Sequence, residues 1–142
     1  YVRPLLEHGF QIWSPYFRKD IALLERVQRR ATKMVTVLRN VEYELRLSIL
    51  GLTTLEYRRQ RGDLIETFKI LTEYYNVNAL KDIYVLNQNI NLRGHSLKLS
   101  RSKGTSNPRY HFLPNRVVDA WNELPESVIS APSVNSFKNR LD

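Results

Sequence analysis

The chain has 142 residues, 42% of them hydrophobic, with eight Tyr, five Phe and two Trp; this suits one compact domain with a real core and argues against disorder throughout. It contains no cysteine, which excludes disulfides, Cys-ligated zinc and thiol nucleophiles. The net charge of +8 is regional: residues 18–39 hold seven basic against two acidic residues and 93–116 hold six against none, so these segments carry +11 and the remainder −3. Basicity concentrated in this way points to an anionic partner.

In chain order, Leu5, Leu6, Phe10 and Trp13 have roughly helical spacing in a first segment that lacks a capping residue and reads as cut from a longer chain. Trp13 is expected in the core. No apolar run reaches the roughly 18 residues of a membrane span and no basic-then-apolar leader opens the chain, so it reads as soluble. Ser14 and Pro15 break the pattern, and Tyr16 to Arg39 then read as one helix with Asp20 placed to cap or charge its first turn. Ile21, Leu24, Gln28, Ala31, Val35 and Leu38 form its core-facing stripe; Arg26, Arg29, Arg30 and Lys33 form a column on the opposite side. Like charges at that spacing repel by a few tenths of a kcal/mol per pair, a cost that screening or an anionic partner removes.

Asn40 is placed to cap a short helix over 41–50, and Gly51 to end it in a left-handed conformation. Thr53 and Glu56 have capping-box spacing before a helix carrying Tyr57, Leu64, Phe68, Leu71 and Tyr75, expected to run to about Tyr75. Arg58, Arg59 and Arg61 near its start are either a solvated face or a second cationic group. Residues 76–92 show little periodicity, with at most a short helix over 79–86. Residues 93–99 alternate weakly as a strand and lead into a Ser-rich basic tract. Pro114 suits the first turn of a helix holding Leu113, Val117, Trp121 and Leu124, which Pro125 ends, and Ser133 starts a last helix through Phe137 and Leu141.

His8, His95 and His111 show no ligand spacing with one another or with carboxylates, so neither a metal nor another cofactor is expected in this chain. The five glycines are isolated, which argues against a phosphate loop and nucleotide hydrolysis. Glu42 and Glu44 are the nearest thing to an acid/base pair and read as solvated. What remains is two basic elements: the column Arg26, Arg29, Arg30 and Lys33, and the tract with Arg93, Lys98, Arg101, Lys103 and Arg109. Both suit phosphate contact. Tyr110 and Phe112 beside the second are read first as core, and otherwise as rings on which a base stacks.

The strings VRPLLE, WSPY, LLERVQRRATK, LGLTTLEYRRQRGDLIETFKIL, RGHSLKL, RVVDAWNELP and SVNSFKNRLD follow one another along nearly the whole chain. Together they resemble the reverse transcriptases of jockey-like, LINE-type (non-LTR) retrotransposons, in the thumb and C-terminal region after the palm. The pattern departs at His8, where the family has Tyr, and at Leu113-Pro114, where it is more polar. The family's palm binds magnesium through an adjacent Asp pair, whereas Asp20, Asp63, Asp82, Asp119 and Asp142 are isolated, so polymerisation by this chain alone is not expected. The resemblance implies RNA and DNA (a template/primer duplex) and the missing palm as partners, no membrane, and an intracellular, nuclear location.

The expected fold is mainly α, a small helical bundle with a basic loop and one short strand or hairpin near 93–99. A thumb-like helical region over 1–75 and a C-terminal helical extension over 76–142 are expected to form one compact unit. The expected function is a non-catalytic polymerase fragment gripping template and primer through phosphates. The alternative is a protein-interaction module docking on the palm or another partner, its charges serving only solubility.

Overall fold

A computed structural model of the chain describes residues 2–75, 82–87, 94–102 and 107–142. It is mainly helical with one two-stranded antiparallel sheet, and it divides into two compact units, Tyr1–Gln60 and Arg61–Asp142.

The first unit contains α1 (Val2–Glu7), α2 (Phe10–Trp13), α3 (Arg18–Lys33), a 3-10 turn (Thr36–Leu38), α4 (Tyr43–Ile49) and the start of α5 (Leu55–Leu71). The single helix expected over 16–39 is shorter. Asp20 lies in the first turn of α3 but Phe17 holds the cap position, and the chain leaves the helix at Met34 and turns extended at Val35. Val35 is consequently exposed, while Leu38 returns to the core through the 3-10 turn. Trp13 is 43% exposed instead of buried, its indole N–H donating to the His8 carbonyl at 2.5 Å.

The start of α4 also differs, with Glu42 and not Asn40 at the cap position. Its end is as expected: Gly51 sits at φ +60°, Leu52 N–H donates to Leu47 O (2.8 Å) and Gly51 N–H to Ser48 O (3.1 Å), the paired bonds of a Schellman turn. The cap of α5 is shifted by one residue, since Thr54 and not Thr53 accepts from the Tyr57 N–H. Thr53 is used differently, its carbonyl accepting from Gln28 Nε2 (3.0 Å) and Arg3 Nη2 (2.7 Å). Gln28 is held in the buried stripe of α3 by its amide N–H groups: Nε2 also donates to Tyr43 Oη (3.0 Å), which donates to Glu25, whose second oxygen accepts from Leu55 N–H (3.0 Å). Burial, then the bond to Glu25, pushes the Tyr43 phenol up to about 12, so it stays a donor at neutral pH.

The second unit is built on the remainder of α5, β1 (Val85–Leu86), β2 (Leu99–Ser100), α6 (Asn107–Tyr110), α7 (Leu113–Arg116), α8 (Val118–Glu123), α9 (Glu126–Ile129) and α10 (Val134–Leu141). Helix α5 stops at Leu71, not near Tyr75, as Glu73 turns to φ +59° and Tyr74 N–H donates back to Lys69 O (2.9 Å). Tyr75 instead folds over the helix end, its hydroxyl donating to Glu66 (2.7 Å) and accepting from Lys69 (3.1 Å). Where a helix is expected over 79–86, residues 85 and 86 are strand, pairing Val85 with Ser100 and Leu86 with Leu99; residues 79–81 lie outside the described residues. Of the strand expected over 93–99, only Leu99 is in the ladder among the described residues. The helix expected over 113–124 is two, joined at Val117, and α9 follows Pro125 without a signal in the sequence pattern. Ser133 caps α10 as expected, its side chain accepting from Ser136 N–H.

Trp121, fully buried, centres this unit with Phe68, Phe137, Leu64, Val117 and Ile129; the Phe68 and Phe137 rings stack at 4.2 Å. The indole N–H donates to Leu97 O (2.7 Å), and Trp121 O meets His95 Nε2 at 2.9 Å, which makes Nε2 the protonated nitrogen. Among the described residues Nδ1 is buried without a partner. Protonating it would add a second N–H with no acceptor. Burial therefore lowers the His95 pKa, against the opposing effect of the Trp121 carbonyl; Lys98 reinforces the shift and Glu126 resists it. Below an unfolded value of about 6.5 the unfolded chain takes up the proton first, so this contribution to stability is complete above that pH and declines as pH falls toward the folded value. The urea midpoint is expected to drop between pH about 7.5 and about 5.5, and His95→Gln, which keeps a donor for Trp121 O, is expected to flatten that slope. An unchanged slope in the variant would locate the titration elsewhere.

Candidate functional site

The basic column is where its spacing placed it. Arg26, Arg29, Arg30 and Lys33 all project from α3 as exposed side chains, over about 10 Å of helix axis, against roughly 3.4 Å of duplex axis per phosphate on each strand. Arg30 and Lys33 lie in the last turn, where the helix dipole favours cations. Arg26, Arg30 and Lys33 have no ion-pair partner among the described residues. Arg29 is partly engaged, its guanidinium 4.3 Å from the Tyr43 ring centroid and Nη2 3.9 Å from Glu44.

The C-terminal tract is dispersed by comparison. Arg93 and Lys103 lie outside the described residues. Lys98 is half-buried and donates to the Asn122 carbonyl, while Asn122 clasps Leu99 with its side-chain amide (2.9 and 2.8 Å), so Lys98 fixes β2 to α8. Arg101 donates to Asp119 and lies 5.1 Å from the Tyr110 ring centroid. Arg109 is exposed on α6. Tyr110 and Phe112 are 44% and 47% exposed, which corrects the expectation that they pack in the core; α6 ends at Tyr110 and their rings stay at the surface, that of Tyr110 beside Arg101. The other arginines weighed for a cationic role are structural: Arg58 makes a bidentate pair with Glu7 (2.5 and 2.9 Å), Arg61 another with Asp142 (2.6 and 2.7 Å), and Arg59 is buried.

Sequence reasoning missed part of the site in the first unit. A surface cavity of about 530 Å³ is lined by Arg29, Lys33, Arg39, Asn40, Val41, Glu42, Tyr43 and Arg46. It adds Arg39, from the end of the 3-10 turn, and Arg46, from α4, to two members of the column. The signal for Arg46 was present: it stands three residues after Tyr43, between the inward-facing Tyr43 and Leu47, on a face where an arginine is out of place. Of Glu42 and Glu44, the first lines the cavity and the second is exposed near Arg29. Among the described residues no group of three or more His, Cys, Asp or Glu side chains is placed to hold a metal ion, and no helix is long and apolar enough to cross a membrane. No protein family, curated protein or solved structure matches this chain.

Proposed function

We propose that this chain is the thumb and C-terminal region of a jockey-like LINE reverse transcriptase, and that it holds the template/primer duplex through its phosphates without performing the chemistry itself. The reading rests on the exposed cationic column of α3, three of whose four members have no carboxylate partner among the described residues. The seven-string resemblance supplies the family, and the exposed rings of Tyr110, beside Arg101, and of Phe112 are of the kind on which any base can stack. In this reading the catalytic aspartates and their Mg2+ belong to the palm that precedes the thumb, and the protein works in the nucleus.

Binding through phosphates has a measurable signature. An RNA/DNA heteroduplex is expected to bind with log K falling linearly in log salt and with little dependence on sequence. A second reading, docking on the palm or another protein, is favoured by one observation: Leu5, Ile12, Met34 and Val37 of the first unit are largely exposed. Association driven by those side chains would be nearly indifferent to salt. Absence of heteroduplex binding at low salt would reject the first reading and leave the second.

A further inference from the structure

The cavity bounded by α3, the 40–42 loop and α4 holds a buried charge that no carboxylate among the described residues pairs with. Arg46 is only 3% exposed, and its partners are neutral: Nε donates to Thr32 Oγ1 at 3.2 Å, Nη1 donates to the Val41 carbonyl, and the guanidinium lies 5.6 Å from the Tyr43 ring centroid. No carboxylate pairs with it among the described residues. A buried cation without a counter-charge is costly, and both the cost and the open cavity above it are relieved by an anion from outside.

The charges around the cavity set what that anion is. Arg29, Lys33 and Arg39 line it with Arg46; Glu42 is the acidic side chain in the lining, and Glu44 stands 3.9 Å from Arg29. Four cations against those two carboxylates leave two positive charges uncompensated. We propose that this cavity is a binding site for a phosphomonoester dianion, with Arg46 at its floor and Lys33 and Arg39 at its rim. A monoester carries close to two negative charges at neutral pH, where the diester of a nucleic-acid backbone carries one. The planar guanidinium offers paired N–H donors that match two phosphate oxygens, and Lys33 adds a mobile point charge. The cavity of about 530 Å³ leaves room for the sugar or nucleoside to which the phosphate is attached. The monoester comes either from the end of a nucleic-acid strand or from a small phosphorylated molecule. The site stands on Arg46 and does not depend on α3 gripping a duplex.

The test uses the full chain and one oligonucleotide sequence made with a 5′-phosphate or a 5′-hydroxyl, compared by fluorescence anisotropy, with inorganic phosphate titrated separately by calorimetry. The phosphorylated end is expected to bind about tenfold more tightly. This preference is expected to shrink as pH drops from about 7.5 to about 5.5 and the monoester loses its second charge. Arg39→Ala, at an exposed position, is expected to abolish the preference while leaving the helical circular dichroism spectrum intact. Heat from inorganic phosphate that disappears in Arg39→Ala, without any preference between oligonucleotides, also supports the site and assigns it to a free phosphorylated molecule. Equal binding of both ends together with no heat from phosphate overturns the proposal, even if the heteroduplex still binds. A phosphate preference without heteroduplex binding leaves this site standing and removes the duplex grip.

Discussion

Replacing Arg26 and Arg30 together by Ala is expected to weaken heteroduplex binding equally for every sequence and to reduce the salt slope by roughly 0.7 to 0.9 for each phosphate no longer neutralised. These two are the cleanest members of the column. Arg29 lies over Tyr43 and near Glu44, and Lys33 lines the cavity, so their removal would also disturb the surroundings of α4. Arg26 and Arg30 have no ion pair or ring contact among the described residues, and Ala is the better helix former at both positions, so α3 is expected to persist. Loss of net charge alone is controlled by Lys138→Ala with Arg140→Ala, which removes as much charge from α10 in the other unit. If the α3 variant keeps the slope of the unaltered chain, or the α10 variant lowers it as much, the column is not the grip.

How much of this surface the sequence disclosed depends on which physical signal each residue leaves. The column was legible because exposed charges at helical spacing have one geometric meaning, and Ile21, Leu24 and Gln28 on the other face did turn inward to varying degrees. The end of α3 was not, because no Gly or Pro marks it; the exit at Val35 is set by Leu38 finding the core through a 3-10 turn. Gln28 looked like a tolerated polar residue in an apolar stripe, whereas it joins Tyr43 and Thr53, 15 and 25 residues away in sequence. Such partners have no local pattern. Arg46 meets the same limit in part: its place between Tyr43 and Leu47 hints at burial, but the Thr32 and Val41 partners that hold it inside leave no local pattern. Tyr110 and Phe112 failed in the opposite sense, since aromatic residues are buried more often than not and nothing in NPRYHF says that its helix is too short to carry the rings inward.

The largest stability effect is expected at a pair that the sequence presented as two unrelated residues, an isolated Asp63 and Arg116, the last arginine of the 93–116 segment. In the second unit Asp63 of α5 takes a bidentate clasp from Arg116 of α7, Nε to Oδ2 at 2.8 Å and Nη2 to Oδ1 at 2.7 Å, across 53 residues of sequence. Their side chains are 8% and 14% exposed, so water does little to screen either charge. Arg116 also donates to the His111 carbonyl (3.3 Å), which ties the approach to α7 into the same cluster. Removing either partner takes from the other the counter-charge of this clasp, in a site that water reaches poorly. Asp63→Ala and Arg116→Met are each expected to cost about 3–5 kcal/mol in urea unfolding, far more than the ~0–1 kcal/mol of an exposed pair such as Arg101 with Asp119. The double variant is expected to cost much less than the sum of the two, because it removes both charges of the clasp together, and a double-mutant cycle reads that difference directly. Additive single effects would mean that the two side chains act through separate packing, and that α5 and α7 are joined by the apolar packing around Val117 and Leu64 alone.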